Sequence, residues 1–295
     1  MRPLSGYSYI RATSLEEARA VMGRDPEGNR FLAGGTDLLV KLKKGQIRAS
    51  RLISLKGIPD LFGLTESEGR IKIGSLVTVN ELVDSKLLQE KAALLSMAAS
   101  ELGSRQIRNL ATLGGNVCNA SPAADLSVAL VCLEAQAEIR GVEGTRIESV
   151  EGLFRGPGLI SLKREDIVSA FWIPVPSGQW CWNYQKLSTR RAMEIGVVNV
   201  AIGLRRDRAV CKEVRIGLGA VAPTPMRVRT AEACLGGKQW DPELIERVAL
   251  MCGQEARCID DIRASAAYRR EMVTHLVRRG LATAWASGDG NKKGK

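Results

Sequence analysis

The sequence predicts an α+β protein with two domains, and three observations support this prediction. The chain has 295 residues, which is about the size at which a single hydrophobic core gives way to two. Before residue 173, short apolar runs typical of strands alternate with amphipathic segments typical of helices. After the proline- and glycine-containing stretch 173–178, strand-like runs indicate an antiparallel sheet. We therefore expect one domain over residues 1–175 and a second over residues 176–295.

Helix-start signals and periodicity predict the elements of the first domain. Ser14 and Glu17 form a capping box that opens a short helix, and Thr78 opens another. Asp125 stands favourably at the N-terminal end of an apolar helix that runs to about Leu133. The remaining predicted helices are 37–42 and 91–102, and the predicted strands are 30–33, 51–55, 70–74, 136–141 and 167–173.

The second domain combines strands with two long helices. Alternating runs predict antiparallel strands at 182–186, 197–202 and 214–218. Asp241 before Pro242 is a helix-start signal, and it predicts a helix that ends at about residue 257. A second helix is expected from about residue 266 to residue 286. The polar tail 288–295 is expected to be disordered.

Two segments with paired glycines are the most informative motifs of the first domain. The first is Ala-Gly-Gly-Thr-Asp at 33–37, and the second is Thr-Leu-Gly-Gly-Asn at 112–116. A backbone without Cβ approaches a ligand closely, so two such turns brought together form a pocket of N–H donors suited to a diphosphate. The alternative is that each pair is only a tight turn.

Residue types exclude several kinds of chemistry. His275 is the only histidine, and the seven cysteines include no C-x-x-C pair, so we expect no metal site and reduced structural thiols. No apolar run reaches the roughly 20 residues that span a bilayer. The first twenty residues also lack the apolar core of a signal peptide. We expect a cytoplasmic protein whose chemistry comes largely from a bound cofactor.

Positive charge is concentrated in the second domain. Residues 1–175 contain 22 Lys and Arg against 20 Asp and Glu, whereas residues 176–295 contain 21 against 12. Aromatic residues are sparse at 4%, and no nucleic-acid-binding motif is present. We therefore favour a solvated face, or a face that docks an acidic partner, over a nucleic-acid groove.

Further motifs flank the second glycine segment and recur later in the chain. Gln-Ile-Arg-Asn at 106–109 precedes the segment, Ser-Pro-Ala-Ala-Asp at 121–125 follows it, and 184–191 and 219–225 add two more. Together these motifs resemble the FAD-binding medium subunit of molybdenum hydroxylases over essentially the whole chain. That group includes xanthine dehydrogenase, carbon monoxide dehydrogenase and nicotinate dehydrogenase.

The resemblance implies a vanillyl-alcohol-oxidase-type (PCMH-like) FAD-binding domain. Two α/β subdomains, about 1–57 and 58–175, would clasp an extended FAD, and a C-terminal domain of antiparallel sheet and helices would cover it. Some flavoproteins of this fold attach FAD through a histidine. Because His275 lies far from both glycine segments in the sequence, we expect non-covalent FAD.

The resemblance also assigns cofactor contacts. The residues that would wrap the diphosphate and adenosine are Phe31, Leu32, Ala33, Gly34, Gly35, Thr36, Asp37 and Leu38. The residues that would supply further phosphate donors are Thr112, Gly114, Gly115 and Asn116. Asp125 would accept hydrogen bonds from FAD hydroxyls. Leu102 and Val168 would line the cofactor, although plain core packing is an equal alternative for both.

Lys186 would lie at the pyrimidine edge of the flavin ring. A fixed cation there raises the reduction potential, because two-electron reduction leaves negative charge near N1 and the C2 oxygen. The alternative for Lys186 is a solvated surface lysine.

The resemblance implies an electron-transfer subunit of a heterotrimeric oxidoreductase. FAD on this chain would collect electrons from a small [2Fe-2S] subunit and pass them to an external acceptor, while a large molybdopterin subunit oxidises the substrate. A dimer of heterotrimers is expected, with no catalytic or metal-ligating residues on this chain, no nucleic acid and no membrane span. One alternative is a self-contained flavin reductase or oxidase on the same fold; another is a binding module whose glycine turns are structural.

Overall fold

Three larger β-sheets and one two-stranded sheet organise the protein in the computed structural model, which describes residues 6–190 and 193–288. The predicted disordered tail falls almost wholly on residues 289–295, which lie outside the described residues. So do residues 191–192, the end of one of the motifs above. The mixed helix-and-sheet architecture agrees with the predicted fold class.

A parallel sheet forms the first layer. Its elements are β1 (Ser8–Arg11), α1 (Leu15–Arg24), β2 (Asn29–Leu32), α2 (Leu38–Lys43) and β3 (Arg51–Ser54). The strand order is β1-β3-β2, and both pairings are parallel. Parallel neighbours need crossover connections, and here α1 and the β2–α2 segment supply them.

The start of α1 differs in one detail from the predicted capping box. Ser14 Oγ accepts a hydrogen bond from the amide of Glu17 at 3.1 Å, as an N-cap residue should. The Glu17 carboxylate instead accepts from the amide and hydroxyl of Thr13, at 2.7 and 2.8 Å. The reciprocal bond is therefore shifted one residue towards the N-terminus.

An antiparallel sheet with helices forms the second layer, after a single 3-10 turn at Pro59–Leu61. Its strands are β4 (Leu64–Ser67), β5 (Arg70–Gly74), β6 (Gln136–Gly141), β7 (Gly144–Ser149), the short pair β8 (Phe154–Gly156) and β9 (Leu159–Ile160), and β10 (Ile167–Pro174). The helices are α3 (Val79–Asp84), α4 (Lys86–Lys91), α5 (Ala93–Ser100), α6 (Arg105–Arg108), α7 (Leu113–Cys118), α8 (Asp125–Cys132) and α9 (Val150–Leu153). The five-stranded order is β4-β5-β10-β6-β7.

Helix α8 is the centre of the molecule. All eight of its residues are buried, including Asp125 and Ser127. A helix that is apolar almost all round must be covered on every side, and α8 packs against α5 on one side and the third sheet on the other.

The third sheet is antiparallel, as predicted. Its strands are β11 (Trp180–Leu187), β12 (Val198–Asp207), β13 (Val210–Gly219), β14 (Met226–Arg227) and β15 (Lys238–Gln239), and its helices are α10 (Arg229–Leu235), α11 (Pro242–Glu255) and α12 (Ala266–Ser287). Both predicted long helices are present. Asp241 caps α11 by accepting from the amide of Leu244 at 3.0 Å.

Charged contacts attach the third sheet to the second layer. Arg215 pairs with Glu134 at 2.8 Å, and Arg227 pairs with the same carboxylate. Arg229 pairs with Glu151. Some of the basic residues of the second half therefore form ion pairs with carboxylates of the first half. Over the described residues, no helix has both the length and the hydropathy needed to cross a bilayer.

Candidate functional site

The two glycine segments line one cleft of about 660 Å³. The first segment contributes all of residues 33–37, with Phe31 before it and Leu38 after it. The second segment contributes Gly114 and Gly115, and Val168 of β10 adds an apolar wall. Segments far apart in the sequence are thus brought together, as the sequence predicts.

Glycine is required in this region mainly by contacts within the chain. A Cβ on Gly34 would overlap the carbonyl oxygen of Leu110, and a Cβ on Gly114 would lie 2.7 Å from the Cβ of Ser75. Gly35 has φ +80°, a left-handed conformation that other residues rarely adopt. The glycines therefore allow backbone segments to pack against each other, in addition to any approach of a ligand.

The first segment presents a row of unused hydrogen-bond donors. Within the described residues, the amides of Gly34, Gly35, Thr36 and Asp37 donate to no protein acceptor. They precede α2 and border the cleft. Successive free amides around a concavity bind anions, so this segment suits the phosphate role predicted for it.

The second segment differs from its prediction, because it is the first turn of helix α7 rather than a free turn. Thr112 is the N-cap, and its Oγ1 accepts from the amide of Gly115 at 3.1 Å. The amide of Gly114 donates to Ser75 O at 2.8 Å, and that of Asn116 donates to Thr112 O at 3.0 Å. These three amides are not free phosphate donors. Asn116 Oδ1 is buried and has no hydrogen-bond partner within the part of the chain that the structure describes.

Basic side chains outnumber acidic ones around the cleft, where Asp37 and Asp166 are the acidic lining residues. Arg30, Lys41, Lys163 and Arg164 line it. Burial, and then the charge of Arg164, lower the pKa of Arg30 from its usual value. Burial is the larger cause, and the charges of Glu27 and Asp25 oppose the shift.

Lys186 lies in a second group of predicted residues, together with Asp125. Lys186 Nζ donates to Asp125 Oδ2 at 2.9 Å and to Glu101 O at 3.1 Å. The two paired side chains are 5% and 7% exposed. The solvated-lysine alternative is therefore wrong, because Lys186 is buried in an ion pair.

Tyr184 and Asn199 complete the surroundings of Asp125. The Tyr184 hydroxyl donates to Asp125 Oδ1 at 2.8 Å, and Asn199 Nδ2 lies 3.5 Å from the same oxygen. Burial raises the pKa of Asp125, and Lys186 opposes this shift. Burial, and then Asp125, raise the pKa of Tyr184. Both carboxylate oxygens already have protein donors, so acceptance from FAD hydroxyls stays a prediction for Asp125.

Several predicted contact residues lie outside the cleft lining. They are Leu32, Leu102, Thr112, Asn116, Asp125 and Lys186. Leu102 follows Glu101, whose carbonyl oxygen Lys186 binds, so Leu102 belongs with the second group. Val168 is both core and cleft wall, because it is 4% exposed and still borders the cavity.

Sequence reasoning missed one wall of the cleft and one polar bridge across it. The wall is residues 158–167, which contribute Leu159, Ile160 and Asp166 among others. The bridge is a hydrogen bond of 2.6 Å from Lys41 Nζ to Asn119 Oδ1. The only local signal was the turn-forming Gly-Pro-Gly at 156–158.

Comparisons with known families and proteins agree over the whole chain. The profile of a family described as the FAD binding domain in molybdopterin dehydrogenase matches residues 5–176, and that of the CO dehydrogenase flavoprotein C-terminal domain matches residues 183–284. The xanthine dehydrogenase FAD-binding subunit of Escherichia coli O157:H7 is 30% identical over 285 residues, covering 96% of this chain and 97% of that protein. The nicotine 6-hydroxylase medium subunit of Paenarthrobacter nicotinovorans is 31% identical over 284 residues, covering 96% and 99%.

Solved structures resemble this chain over a similar share of its length. A chain of carbon monoxide dehydrogenase from Hydrogenophaga pseudoflava, in a form that lacks the Mo-pyranopterin moiety, superposes with a TM-score of 0.94 at 29% identity. A chain of quinoline 2-oxidoreductase from Pseudomonas putida 86 gives 0.91 at 25% identity. Each comparison covers 97% of this chain and 99% of the other.

The contact between Gly34 and Leu110 gives a first prediction. We expect Gly34→Ala to destabilise the chain by about 1–3 kcal/mol, because the new Cβ must displace the Leu110 carbonyl. Gly158→Ala is the matched control, since it also lines the cleft but its Cβ meets no atom within 4 Å; its φ of +70° leaves only conformational strain. Chemical denaturation measures both changes. Equal losses in the two variants would contradict the proposed role of the contact.

Proposed function

The chain belongs to the family of FAD-binding domains in molybdopterin dehydrogenases, and we propose that it is the electron-transfer flavoprotein subunit of a heterotrimeric molybdenum-containing oxidoreductase. In this proposal a small [2Fe-2S] subunit delivers electrons and an external acceptor removes them. Substrate oxidation takes place on a large molybdopterin subunit. Residues 1–175 form the FAD-binding domain and residues 176–295 the C-terminal domain.

The observation that carries this proposal is that residues 34–37, whose amides have no protein acceptor among the described residues, line a cleft with four basic side chains. The cleft volume of about 660 Å³ lies in the range of roughly 300–1,000 Å³ typical of cofactor and ligand sites. Apolar walls, including Val168, suit a flat ring system. The residues present therefore fit FAD.

When bound, FAD supplies the ability to store two electrons and exchange them with one- and two-electron partners. The chain's own residues bind and orient it. The amides of residues 34–37 hold the diphosphate, with the surrounding cations lowering the cost of its charge. The Lys186 ammonium is held in place by Asp125, whose other carboxylate oxygen accepts from Tyr184. The negative charge of Asp125 largely balances the positive charge of Lys186 while the flavin is oxidised.

The proposed attachment is non-covalent, because His275 lies on α12 next to Thr274 and Arg278, in a surface groove separate from the cleft. We expect acid precipitation of the purified protein to release all of its yellow chromophore into the supernatant as FAD. Absorbance at the flavin maximum and chromatography of the supernatant measure this. Flavin that stays in the protein pellet would contradict the non-covalent site.

The buried ion pair gives a prediction about redox potential. We expect Lys186→Met to lower the flavin midpoint potential by about 30 mV, which corresponds to about 1.4 kcal/mol for a two-electron couple. Asp125→Asn should raise the potential, because it leaves the cation uncompensated. Dye-equilibrated reductive titration measures both values. Lys91→Met, which removes an exposed lysine paired with Glu66, is the charge-matched control.

Stability must be followed in the same variants. Removing Lys186 leaves a buried carboxylate without its cation, which typically costs about 3–5 kcal/mol. Thermal unfolding therefore has to show that the variant is folded at the temperature of the titration. A folded Lys186→Met protein with an unchanged potential would restrict Lys186 to a structural role.

Assembly is the direct test of the proposed function. We expect co-expression with the large and small subunits to yield a complex that elutes as a dimer of heterotrimers and contains molybdenum, iron and FAD. Size-exclusion chromatography with light scattering and metal analysis measures this. Arg215, Arg227 and Arg229 are already paired within the chain. Added salt should therefore slow assembly only by screening the other exposed basic residues. A chain that stays alone and oxidises a substrate by itself would contradict the proposal.

A further inference from the structure

We propose that Lys41 binds a phosphate oxygen of the cofactor, and that this charge contact contributes to holding the diphosphate. The inference rests on the proposed FAD site and adds a residue outside both glycine segments. Its starting point is the juxtaposition, in one cleft, of four free amides and an ammonium group without a carboxylate partner.

Lys41 lies on α2, the helix that directly follows the free amides. Asp37, Leu38 and Lys41 line the cleft together, so they form one face of the helix. Long side chains on a helix lean toward its N-terminus, and the N-terminus of α2 directly follows residues 34–37. Lys41 and the residues with free amides therefore border the same cavity, one helical turn apart.

Two of the other basic residues that line the cleft differ from Lys41, because each is paired with a carboxylate. Lys163 is paired with Glu143 at 2.9 Å, and Arg164 with Glu27 at 3.4 Å. Among the described residues, no carboxylate oxygen lies within 4.0 Å of Lys41 Nζ, although Asp37 is only one turn away. Arg30 also lacks such a carboxylate, but its guanidinium donates to the adjacent carbonyl oxygens of Glu27 and Asn29.

The hydrogen-bonding capacity of Lys41 is only partly used. Its ammonium carries three donors, and its hydrogen bond in the structure goes to the neutral Asn119 Oδ1 at 2.6 Å. That bond holds the ammonium half-buried at the cavity wall and leaves its charge unbalanced. A phosphate oxygen would supply both the missing acceptor and the missing negative charge. The competing explanation is a purely structural role, in which the Lys41–Asn119 hydrogen bond (the strut) only joins α2 to the end of α7.

Ligand titration of the full chain separates these explanations. The chain is freed of flavin, and binding of FAD is followed by quenching of flavin fluorescence, with ADP as a competitor and riboflavin as a phosphate-free probe. We expect Lys41→Met to raise the Kd for FAD and the inhibition constant for ADP by about 10- to 100-fold. Binding of riboflavin should not change. The salt dependence of FAD binding should also become weaker, because one ionic contact is lost.

Two variants serve as matched controls. Lys43→Met removes an exposed lysine from the same helix, outside the cleft lining, and should leave the Kd for FAD within about twofold. Asn119→Ala removes the strut and keeps the cation, so the salt dependence should be retained and the affinity largely preserved. Lys41→Gln is a second substitution in case the methionine variant does not fold, as judged by circular dichroism.

The outcomes are distinct. A folded Lys41→Met protein that binds FAD and ADP like Lys43→Met overturns the inference. Loss of FAD affinity in Asn119→Ala as large as in Lys41→Met, with no change in salt dependence in either, also overturns it in favour of the strut. A wild-type chain that binds no FAD at all overturns the proposed function itself, a result that the Lys41 variants alone could not give.

Discussion

The approach of Gly34 to the carbonyl oxygen of Leu110 is the contact on which the cleft depends. It joins the parallel sheet to the helical part of the second layer without any intervening side chain. Residues 34–37 line the cleft next to this contact, and among the described residues their amides have no protein acceptor. The same approach puts Lys41 across from Asn119. Donors, cation and apolar wall are thus consequences of a single close packing of main chain.

Local signals predicted most of the helices and strands, and ten of the sixteen contact residues assigned by resemblance line the cleft. Caps and first-turn residues such as Thr78, Asp241 and Pro242 act within four residues of themselves, so the sequence alone locates the helices that they begin. The paired glycines at 34–35 are also a local signal, and they predicted N–H donors in the first segment. The second segment was misjudged because Thr112 is an N-cap, and the hydroxyl before Leu-Gly-Gly was the signal that could have revealed a helix.

The rest of the site depends on contacts between distant residues, for which a single sequence has no local mark. Lys186 and Asp125 are separated by 61 positions, and neither spacing nor periodicity indicates that they pair. Their burial is decided by α8, which must be covered by β12 and β13 because almost every residue on it is apolar. The charge excess of the second half likewise suggested an outward-facing surface, yet Arg215 and Arg227 turn inward to Glu134.

The three-stranded parallel sheet has a further consequence for how the protein becomes stable. Its hydrophobic core is completed by Leu61, Leu76 and Ile167, which follow it in the chain. A fragment that ends near residue 57 would therefore expose the apolar face of α1 and β3, and a unit of about that size is only marginally stable even with its core complete. The cleft and the first sheet must form in one cooperative step with the layer behind them. A ligand that binds only the assembled cleft then acts as a folding partner, and its concentration sets how much of the chain is native.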